Sequence, residues 1–205
     1  PAVRVIVLGA SGRLYCAGHD LAELRDGGDA AAHEALFAQC SALMQAIVAC
    51  PKPVIARVQG AAVAAGCQLV ASCDLAFSAD TARFAVSGID LGLFCSTPGV
   101  ALARAVSRKH ALEMLLTGRF VGAAEAAAMG LINRAVPGAE LDAAVDEAAL
   151  AIAAKAPKAI ALGKRVFHRQ IELPLDEAYA LASRAMAENL SFESAKAGID
   201  DFLKR

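Results

Sequence analysis

The chain has 205 residues, a formal net charge of −1 and 57% hydrophobic residues, of which few are aromatic. That length is enough to bury a core within one domain, made mainly of alanine, valine, leucine and isoleucine. The near-neutral charge, without basic blocks, argues against nucleic acid as a partner, and no apolar run reaches the length that membrane insertion requires.

The first part of the chain alternates between strand-like and helical segments. Runs rich in β-branched residues predict strands at 3–8 and 53–58. A further strand is predicted at 74–79, and a short edge strand at 82–86. Apolar residues at helical spacing predict a long helix over 30–49. Helical connections between successive strands predict a largely parallel arrangement of strands.

The second part is mainly helical. One helix is predicted to open at Thr97-Pro98-Gly99, and others cover 109–116 and 123–129, before a strand at 131–136. Beyond Gly138 only helices are predicted, at 140–155, 158–170, 174–190 and 193–203. We therefore divide the chain into a β/α core, 1–137, and a C-terminal helical region, 138–205, whose apolar stripes need a surface to cover.

The most informative stretch is the run of very small residues from Gly60 to Gly66, which follows a predicted strand and opens a helix. Small side chains let another group approach the backbone closely, and the first N–H groups of a helix have no partner within it. Such a turn can bind an anion or a developing oxyanion, although one Gly/Ala cluster often serves packing alone. A second turn of small residues, near the first strand, can offer another amide to the same oxygen.

Three motifs resemble those of the crotonase superfamily, the enoyl-CoA hydratase/isomerase-like proteins. They are Cys16-Ala17-Gly18-His19-Asp20-Leu21, Ala64-Ala65-Gly66-Cys67-Gln68-Leu69 followed by Cys73-Asp74-Leu75, and Phe94-Cys95-Ser96-Thr97-Pro98-Gly99-Val100. They occur in the family's order, and the resemblance covers essentially the whole chain. Within the family, the Gln68 pattern and residues 94–104 are most similar to the enoyl-CoA hydratase domain-containing protein 3 group.

The resemblance implies an α/β fold with a crotonase-like (ClpP/crotonase) ββα spiral core and a C-terminal helical trimerisation region. It also implies a homotrimer or a dimer of trimers. Because members of the family carry strands before the position of Pro1, we expect N-terminal strands of the fold to precede this residue.

The resemblance further implies that the backbone N–H groups of His19 and Ala65 hold the thioester oxygen of an acyl-CoA. The acyl-CoA would be the small-molecule ligand, with no metal and no other cofactor. Residues implied in contact with substrate or coenzyme A are Cys16, Gly18, Asp20, Leu21, Gly66, Cys95, Phe202, Lys204 and Arg205. A cation beside the phosphates of coenzyme A makes physical sense.

The sequence departs from the family at the two positions where typical hydratases carry glutamates. The first position holds Gln68, and ungapped matching puts Gly88 at the second. Hydration needs a base to activate water and an acid to protonate carbon, and each such group contributes about 10²–10⁴-fold in rate. Asp90, two residues further on, is a possible substitute, but a loop or capping aspartate is the simpler interpretation.

Other side chains near these motifs admit two interpretations. The His19 imidazole either lines the acyl pocket as a titratable group or fills space beside the amide, and we favour the second. Asp20 is expected to cap a short helix from Leu21. Cys95 is either a nucleophile or pocket lining at a helix start, and we favour lining. The six cysteines, without a C-x-x-C pair, are expected to be reduced thiols.

Two hypotheses on function remain open. In the first, the protein is an enoyl-CoA hydratase/isomerase-family enzyme, of lyase or isomerase type, that lacks the usual glutamate pair and hydrates poorly. In the second, it is a non-catalytic acyl-CoA binder or an assembly subunit. We expect a cytoplasmic location, with an organellar matrix left open if a leader precedes Pro1.

Overall fold

Two four-stranded sheets organise the structure, a computed structural model that describes residues 2–204. In chain order the strands are β1 (Ile6–Gly9), β2 (Leu14–Cys16), β3 (Val54–Val58), β4 (Ala61–Val63), β5 (Leu75–Ala79), β6 (Arg83–Ala85), β7 (Val121–Gly122) and β8 (Arg134–Val136). The first sheet has the order β1-β3-β5-β8 and is parallel throughout. The second has the order β2-β4-β6-β7, parallel except for β6 with β7.

Ten α-helices occur within residues 2–204. They are α1 (Leu21–Asp26), α2 (Ala30–Ala49), α3 (Ala65–Ser72), α4 (Ser96–Ala105), α5 (Arg108–Thr117), α6 (Ala123–Met129), α7 (Leu141–Ala153), α8 (Pro157–Gln170), α9 (Leu175–Leu190) and α10 (Glu193–Leu203). Two short 3₁₀ turns cover Ser87–Leu91 and Gly138–Glu140. Over the described range, no helix combines the length and the apolar character that crossing a membrane requires.

The chain repeats one pattern, strand, strand, helix. β1 and β2 lead to α1 and α2, β3 and β4 lead to α3, and β5 and β6 lead to α4. Each repeat places one strand in each sheet, beside the strand of the previous repeat, which makes a ββα spiral. The turns that follow β2, β4 and β6 therefore lie along one edge of the second sheet.

The core lies between the spiral and the helices packed on it. Its largest cluster includes Phe84, Val58, Leu102, Met114 and Val121, all almost fully buried. A second cluster joins α7 to the first sheet through Leu141, Val145, Ile55 and Phe77. Aromatic residues are few, so aliphatic side chains and alanines fill most of the interior.

The parallel strand pairing and the long α2 agree with the predictions from sequence, and three strands were missed. β2, β4 and β7 have three residues or fewer, too short for an alternating pattern to be visible. The predicted strand at 131–136 is reduced to Arg134–Val136. The N–H groups of Leu131 and Ile132 instead donate to the Ala126 carbonyl at the end of α6, at 2.9 Å and 3.4 Å.

The C-terminal part is helical, as predicted. α8 and α9 pack against each other, and α10 packs against α9. α8 is held to the core by an ion pair that sequence patterns did not predict. Lys164 donates to Asp74 at 2.7 Å, and Asp74 also accepts the N–H of Val54 at 2.7 Å.

Candidate functional site

The turn between β4 and α3 has a strained backbone. Ala64 adopts φ 49° and ψ −115°, and it is the one non-glycine residue with positive φ among residues 2–204. Side chains disfavour this conformation, at a cost of about 1–3 kcal/mol. Ala64 is fixed there by its neighbours, because its N–H donates to Ala85 at the end of β6 at 2.9 Å. Strain of this kind is common in turns at functional sites, where it fixes the orientation of the next backbone group.

The following group is the amide of Ala65, the first residue of α3. The first hydrogen bond of the helix runs from the Gln68 N–H to the Ala64 carbonyl, 3.0 Å, and no side chain caps the helix. Within residues 2–204 the Ala65 N–H donates to no acceptor. The helix dipole adds positive potential at this end, so the amide suits an oxygen that carries negative charge.

The turn between β2 and α1 is in contact with the turn at Ala65. Gly18 has φ +95°, and a Cβ on it would lie 3.1 Å from the Ala64 Cβ and 3.2 Å from the Ala65 nitrogen. Gly66 is equally close to Cys16, because a Cβ on Gly66 would overlap the Cys16 carbonyl. No larger residue fits at either glycine without moving the backbone. The small residues of the two motifs therefore serve close approach.

The amide of His19 follows Gly18 directly and, within residues 2–204, it too donates no hydrogen bond. The His19 ring packs edge-on against Phe37 of α2, with centroids 5.4 Å apart. Asp20 caps α1 as expected, since its carboxylate accepts the N–H of Ala22 at 2.7 Å and of Glu23 at 3.3 Å. The structure thus brings two unpaired amides, of His19 and Ala65, to adjacent turns.

Gln68 lies one turn further along α3 and is only 3% exposed. The Cys40 thiol of α2 donates to its Oε1 over 3.9 Å. Burial, and then the nearby Cys16 thiol, raise the pKa of Cys40. Position 68, the first of the two positions at which typical hydratases carry a glutamate, therefore holds a buried neutral amide beside a neutral thiol.

Gly88 lies on the 3₁₀ turn after β6 and has no room for a side chain. A Cβ on it would come within 2.5 Å of the Leu93 carbonyl oxygen and 2.7 Å of the Cys95 sulfur. The Gly88 N–H donates to that sulfur at 3.3 Å. Burial, with the nearby Cys95 thiol second, raises the pKa of Cys67 to about 12. The groups in contact with the second family position are therefore a backbone carbonyl and a thiol.

Asp90 lies on the same 3₁₀ turn and is exposed. Its carboxylate lies against Gly118, the residue that ends α5, since a Cβ on Gly118 would meet Asp90 Oδ2 at 2.8 Å. The structure thus places this carboxylate at the end of α5. A role for Asp90 as a substitute acid stays a prediction.

The residues predicted at coenzyme A are divided between two regions. Cys16, Gly18, Asp20, Leu21 and Gly66 lie at the two adjacent turns, and Cys95 lies beside Gly88. Phe202 and Lys204 lie at the end of α10, where Phe202 is 75% exposed. Arg205 lies outside the described residues. No group of three His, Cys, Asp or Glu residues in the range 2–204 is arranged to hold a metal ion.

Two open clefts lie between pairs of helices. A cleft of about 460 Å³ lies between α1 and α2 and is lined by Glu23, Asp26, Gly27, Ala32, His33 and Leu36. A smaller one, about 340 Å³, lies between α8 and α9. Neither lining includes Ala65 or Gln68.

Sequence patterns missed two contributors to the site. Phe37 and Cys40 were assigned only to the apolar face of α2, because a helical stripe does not reveal which of its members face a turn elsewhere. The strain at Ala64 has no sequence signal, since alanine is an ordinary residue in a turn or helix.

Comparisons with known proteins agree on one family. The sequence matches the family description "Enoyl-CoA hydratase/isomerase" over residues 1–205. Enoyl-CoA hydratase domain-containing protein 3, mitochondrial, from Homo sapiens is 47% identical over 203 residues, which are 99% of this chain and 67% of that protein. The mouse protein of that name is 45% identical over 203 residues, 99% of this chain and 68% of its own length.

Solved structures agree with the sequence matches. An enoyl-CoA hydratase from Mycobacterium smegmatis has a TM-score of 0.97 at 53% identity, over 98% of this chain and 79% of that one. The crystal structure of human enoyl-CoA hydratase domain-containing protein 3 has a TM-score of 0.95 at 47% identity, over 98% of this chain and 80% of that one.

Proposed function

This chain belongs to the enoyl-CoA hydratase/isomerase family and has the crotonase-like α/β fold, and on that premise we propose that it binds acyl-CoA thioesters. The family and the fold class that the three motifs predicted are confirmed. In the proposed function, the N–H groups of His19 and Ala65 both donate to the thioester carbonyl oxygen. The carbonyl is thereby polarised, and negative charge that develops on its oxygen is stabilised.

The contact between Gly18 and the Ala65 amide carries this proposal. It puts two unpaired backbone donors side by side, next to a helix N-terminus and a strained turn. One donor of this kind is worth about 2.7–4 kcal/mol of transition-state stabilisation. Since both donors are backbone groups, the side chains of His19 and Ala65 need not take part.

The residues at positions 68 and 88, a carboxamide and a glycine, limit what chemistry can follow. Neither residue can take a proton from water or deliver one to carbon, so hydration of an enoyl-CoA is expected to be slow. An enzyme at this site would rely on stabilising an enolate-like oxygen, with an unconventional proton carrier such as Asp90. The lack of room at Gly88 favours a second candidate, an acyl-CoA binder without turnover.

Calorimetric titration with two ligands tests the proposal. Butyryl-CoA has the thioester carbonyl, and S-butyl-CoA, a thioether of the same length, lacks it. We expect butyryl-CoA to bind more tightly, and Gly18→Ala to reduce that difference by crowding the Ala65 amide. Gly12→Ala is the matched control, because Gly12 also has positive φ, +86°, but nothing lies within 4 Å of its Cβ position. Equal binding of the two ligands would refute the proposal.

An assay with crotonyl-CoA separates the two candidates. Turnover by the wild type that is lost in Asp90→Asn supports an enzyme that uses this carboxylate. Tight binding of butyryl-CoA without turnover of crotonyl-CoA supports the binder.

Assembly and location form part of the proposal. Large apolar side chains are exposed along α8 and α9, namely Phe167, Ile171, Leu175, Tyr179, Met186 and Leu190. They support a homotrimer or a dimer of trimers, which light scattering would measure. The names of the human and mouse relatives include the word mitochondrial, which favours the organellar alternative over the cytoplasmic expectation. Cell fractionation would decide between the two.

A further inference from the structure

The Gln68 side chain is oriented by the thiol next to it. Cys40 donates its S–H to Gln68 Oε1 over 3.9 Å, from α2 to α3. Because burial and the neighbouring Cys16 raise the pKa of Cys40, the thiol keeps its proton at neutral pH. A protonated thiol is a donor, and only the oxygen end of the carboxamide accepts. Oε1 therefore faces Cys40, and the amide nitrogen faces away from it.

The amide nitrogen of Gln68 has donors to offer. Within residues 2–204, Nε2 donates to no acceptor, although the residue as a whole is 3% exposed. Fully buried side-chain atoms without a partner in that range are Tyr15 Oη, Gln59 Oε1, Ser78 Oγ and His110 Nδ1. Gln68 Nε2 is not among them, so this atom is not completely buried.

Helix geometry places the Gln68 side chain near the turn at Ala65. Gln68 follows Ala65 by three residues on α3, which puts both on one face of the helix, about 4.5 Å apart along the axis. In the binding mode that we infer below, the carbonyl oxygen accepts from the Ala65 N–H and the acyl chain runs from there towards position 68. The Gln68 N–H groups then lie near the third carbon of an acyl group.

We infer that Gln68 binds an acceptor oxygen of the acyl chain through Nε2, and that the protein prefers 3-oxoacyl-CoA thioesters over saturated ones. This inference rests on the proposed function, because it presupposes a thioester carbonyl at the adjacent turns. A glutamate at this position would present oxygen acceptors to the same atom and repel it. The glutamine changes the polarity of the position from acceptor to donor.

Unpaired donors supply the selectivity. A saturated chain that excludes water from Nε2 leaves its N–H groups without partners, whereas a 3-oxo group replaces the lost water. Sites built to hydrogen-bond a ligand discriminate strongly against an analogue that lacks the partner atom. A thioester with an apolar third carbon should therefore gain no affinity from Gln68.

Acetoacetyl-CoA and butyryl-CoA provide the test, because their acyl chains have equal length and differ at the third carbon. We expect the wild type to bind acetoacetyl-CoA about tenfold more tightly by calorimetry. Gln68→Leu should bind both equally, because it has no donor for an oxygen on the third carbon and no donor that a saturated chain would leave unpaired. Gln68→Met, unbranched and without donors, is the second variant in case leucine disturbs folding. Gln45→Leu, the same change at an exposed position of α2, should keep the preference.

A spectroscopic measurement separates hydrogen bonding from a change of shape. With carbon-13 at the third carbon of acetoacetyl-CoA, the infrared stretch of that carbonyl should fall to lower frequency on binding to the wild type. In Gln68→Met the shift should be absent, and in Cys40→Ala it should weaken because the amide is free to turn.

Each outcome decides the matter. Butyryl-CoA binding without any preference for acetoacetyl-CoA leaves the proposed function standing and overturns this inference. A preference that survives in Gln68→Leu and Gln68→Met overturns it as well. Failure of the wild type to bind either thioester overturns the proposed function and this inference together.

Discussion

The ammonium group of Lys164 lies 2.7 Å from the carboxylate of Asp74, with 8% of the lysine side chain and 18% of the aspartate side chain exposed. Lys164 also donates to the carbonyls of Ile47 at 2.9 Å and Lys52 at 3.2 Å. His168, one turn further along α8, lies 3.5 Å from the other oxygen of Asp74. The C-terminal helices are thus attached to the end of α2 and the start of β5 by buried polar groups.

Lys164→Met is therefore expected to lower the free energy of unfolding by about 3 kcal/mol, because it leaves the Asp74 charge and two carbonyls without their partner. Urea denaturation would measure the loss. Lys196→Met is the control, since the Lys196–Glu193 pair is exposed and worth under about 1 kcal/mol. Equal effects of the two substitutions would contradict a structural role for the buried pair.

Gly88→Ala is expected to destabilise the protein by about 1–3 kcal/mol, because the new Cβ overlaps the Leu93 carbonyl and the Cys95 sulfur. Adding Cys95→Ala should recover only part of the loss, since the Leu93 carbonyl belongs to the backbone. Gly163→Ala in α8 is the contrasting case. Nothing lies within 4 Å of its Cβ position, and alanine favours a helix by about 1 kcal/mol. If the two variants have the same melting temperature, residues 88–95 move aside to accommodate the new Cβ at little cost in free energy.

Ala64→Gly is expected to raise the free energy of unfolding by about 1 kcal/mol, because glycine adopts φ 49° and ψ −115° without strain. The gain is partly offset by the greater freedom of glycine in the unfolded chain. Ala61→Gly, in the preceding strand β4, has only that unfavourable term and should lower stability. A loss of stability in Ala64→Gly would mean that the turn is not strained.

Alkaline pH is expected to weaken the fold through Cys67. Burial raises the pKa of this thiol from 9.0 to about 12, so the unfolded chain loses the proton first. The contribution of the protonated Cys67 thiol to the free energy of unfolding is fully present below pH 9. It falls as the pH rises towards 12, by up to about 1.4 kcal/mol per pH unit. The difference in unfolding free energy between wild type and Cys67→Ala should therefore shrink by about 1 kcal/mol from pH 8 to pH 10. A difference that does not change with pH would contradict the buried neutral thiol.

Elements with strong local signals were predictable from the sequence. Asp29 caps α2 and Pro51 follows its end, and Gly130 ends α6, so the bounds of both helices could be placed. Asp20 as the cap of α1 follows from the same local chemistry. β2 and β4 were not predicted, because three residues are too few to show the alternation of apolar and polar side chains that marks a strand. Their pairing depends on residues nearly fifty positions apart in the chain.

The candidate residues His19, Ala65, Gln68 and Gly88 came from the resemblance of the motifs to the family, and their role stays a prediction. The contacts between the turns follow only from the spiral. The thiol beside Gln68 comes from a residue 28 positions earlier in the chain, at a helix position that looked like ordinary core. The lack of room for a side chain at Gly88 depends on where the backbone of residues 93–95 runs, which the sequence alone does not reveal.

The spiral itself has a further consequence for the two unpaired amides. Each follows a strand of the second sheet, and those strands, β2 and β4, are immediate neighbours. Adjacent strands lie about 4.8 Å apart, a span at which two N–H groups can reach a single oxygen from either side. The spacing of the donors therefore follows from the pairing of β2 with β4, and Gly18 and Gly66 allow the two turns to meet. Gln68 lies outside this pairing of strands, so a change of its side chain leaves β2 and β4 and the turns that follow them in place.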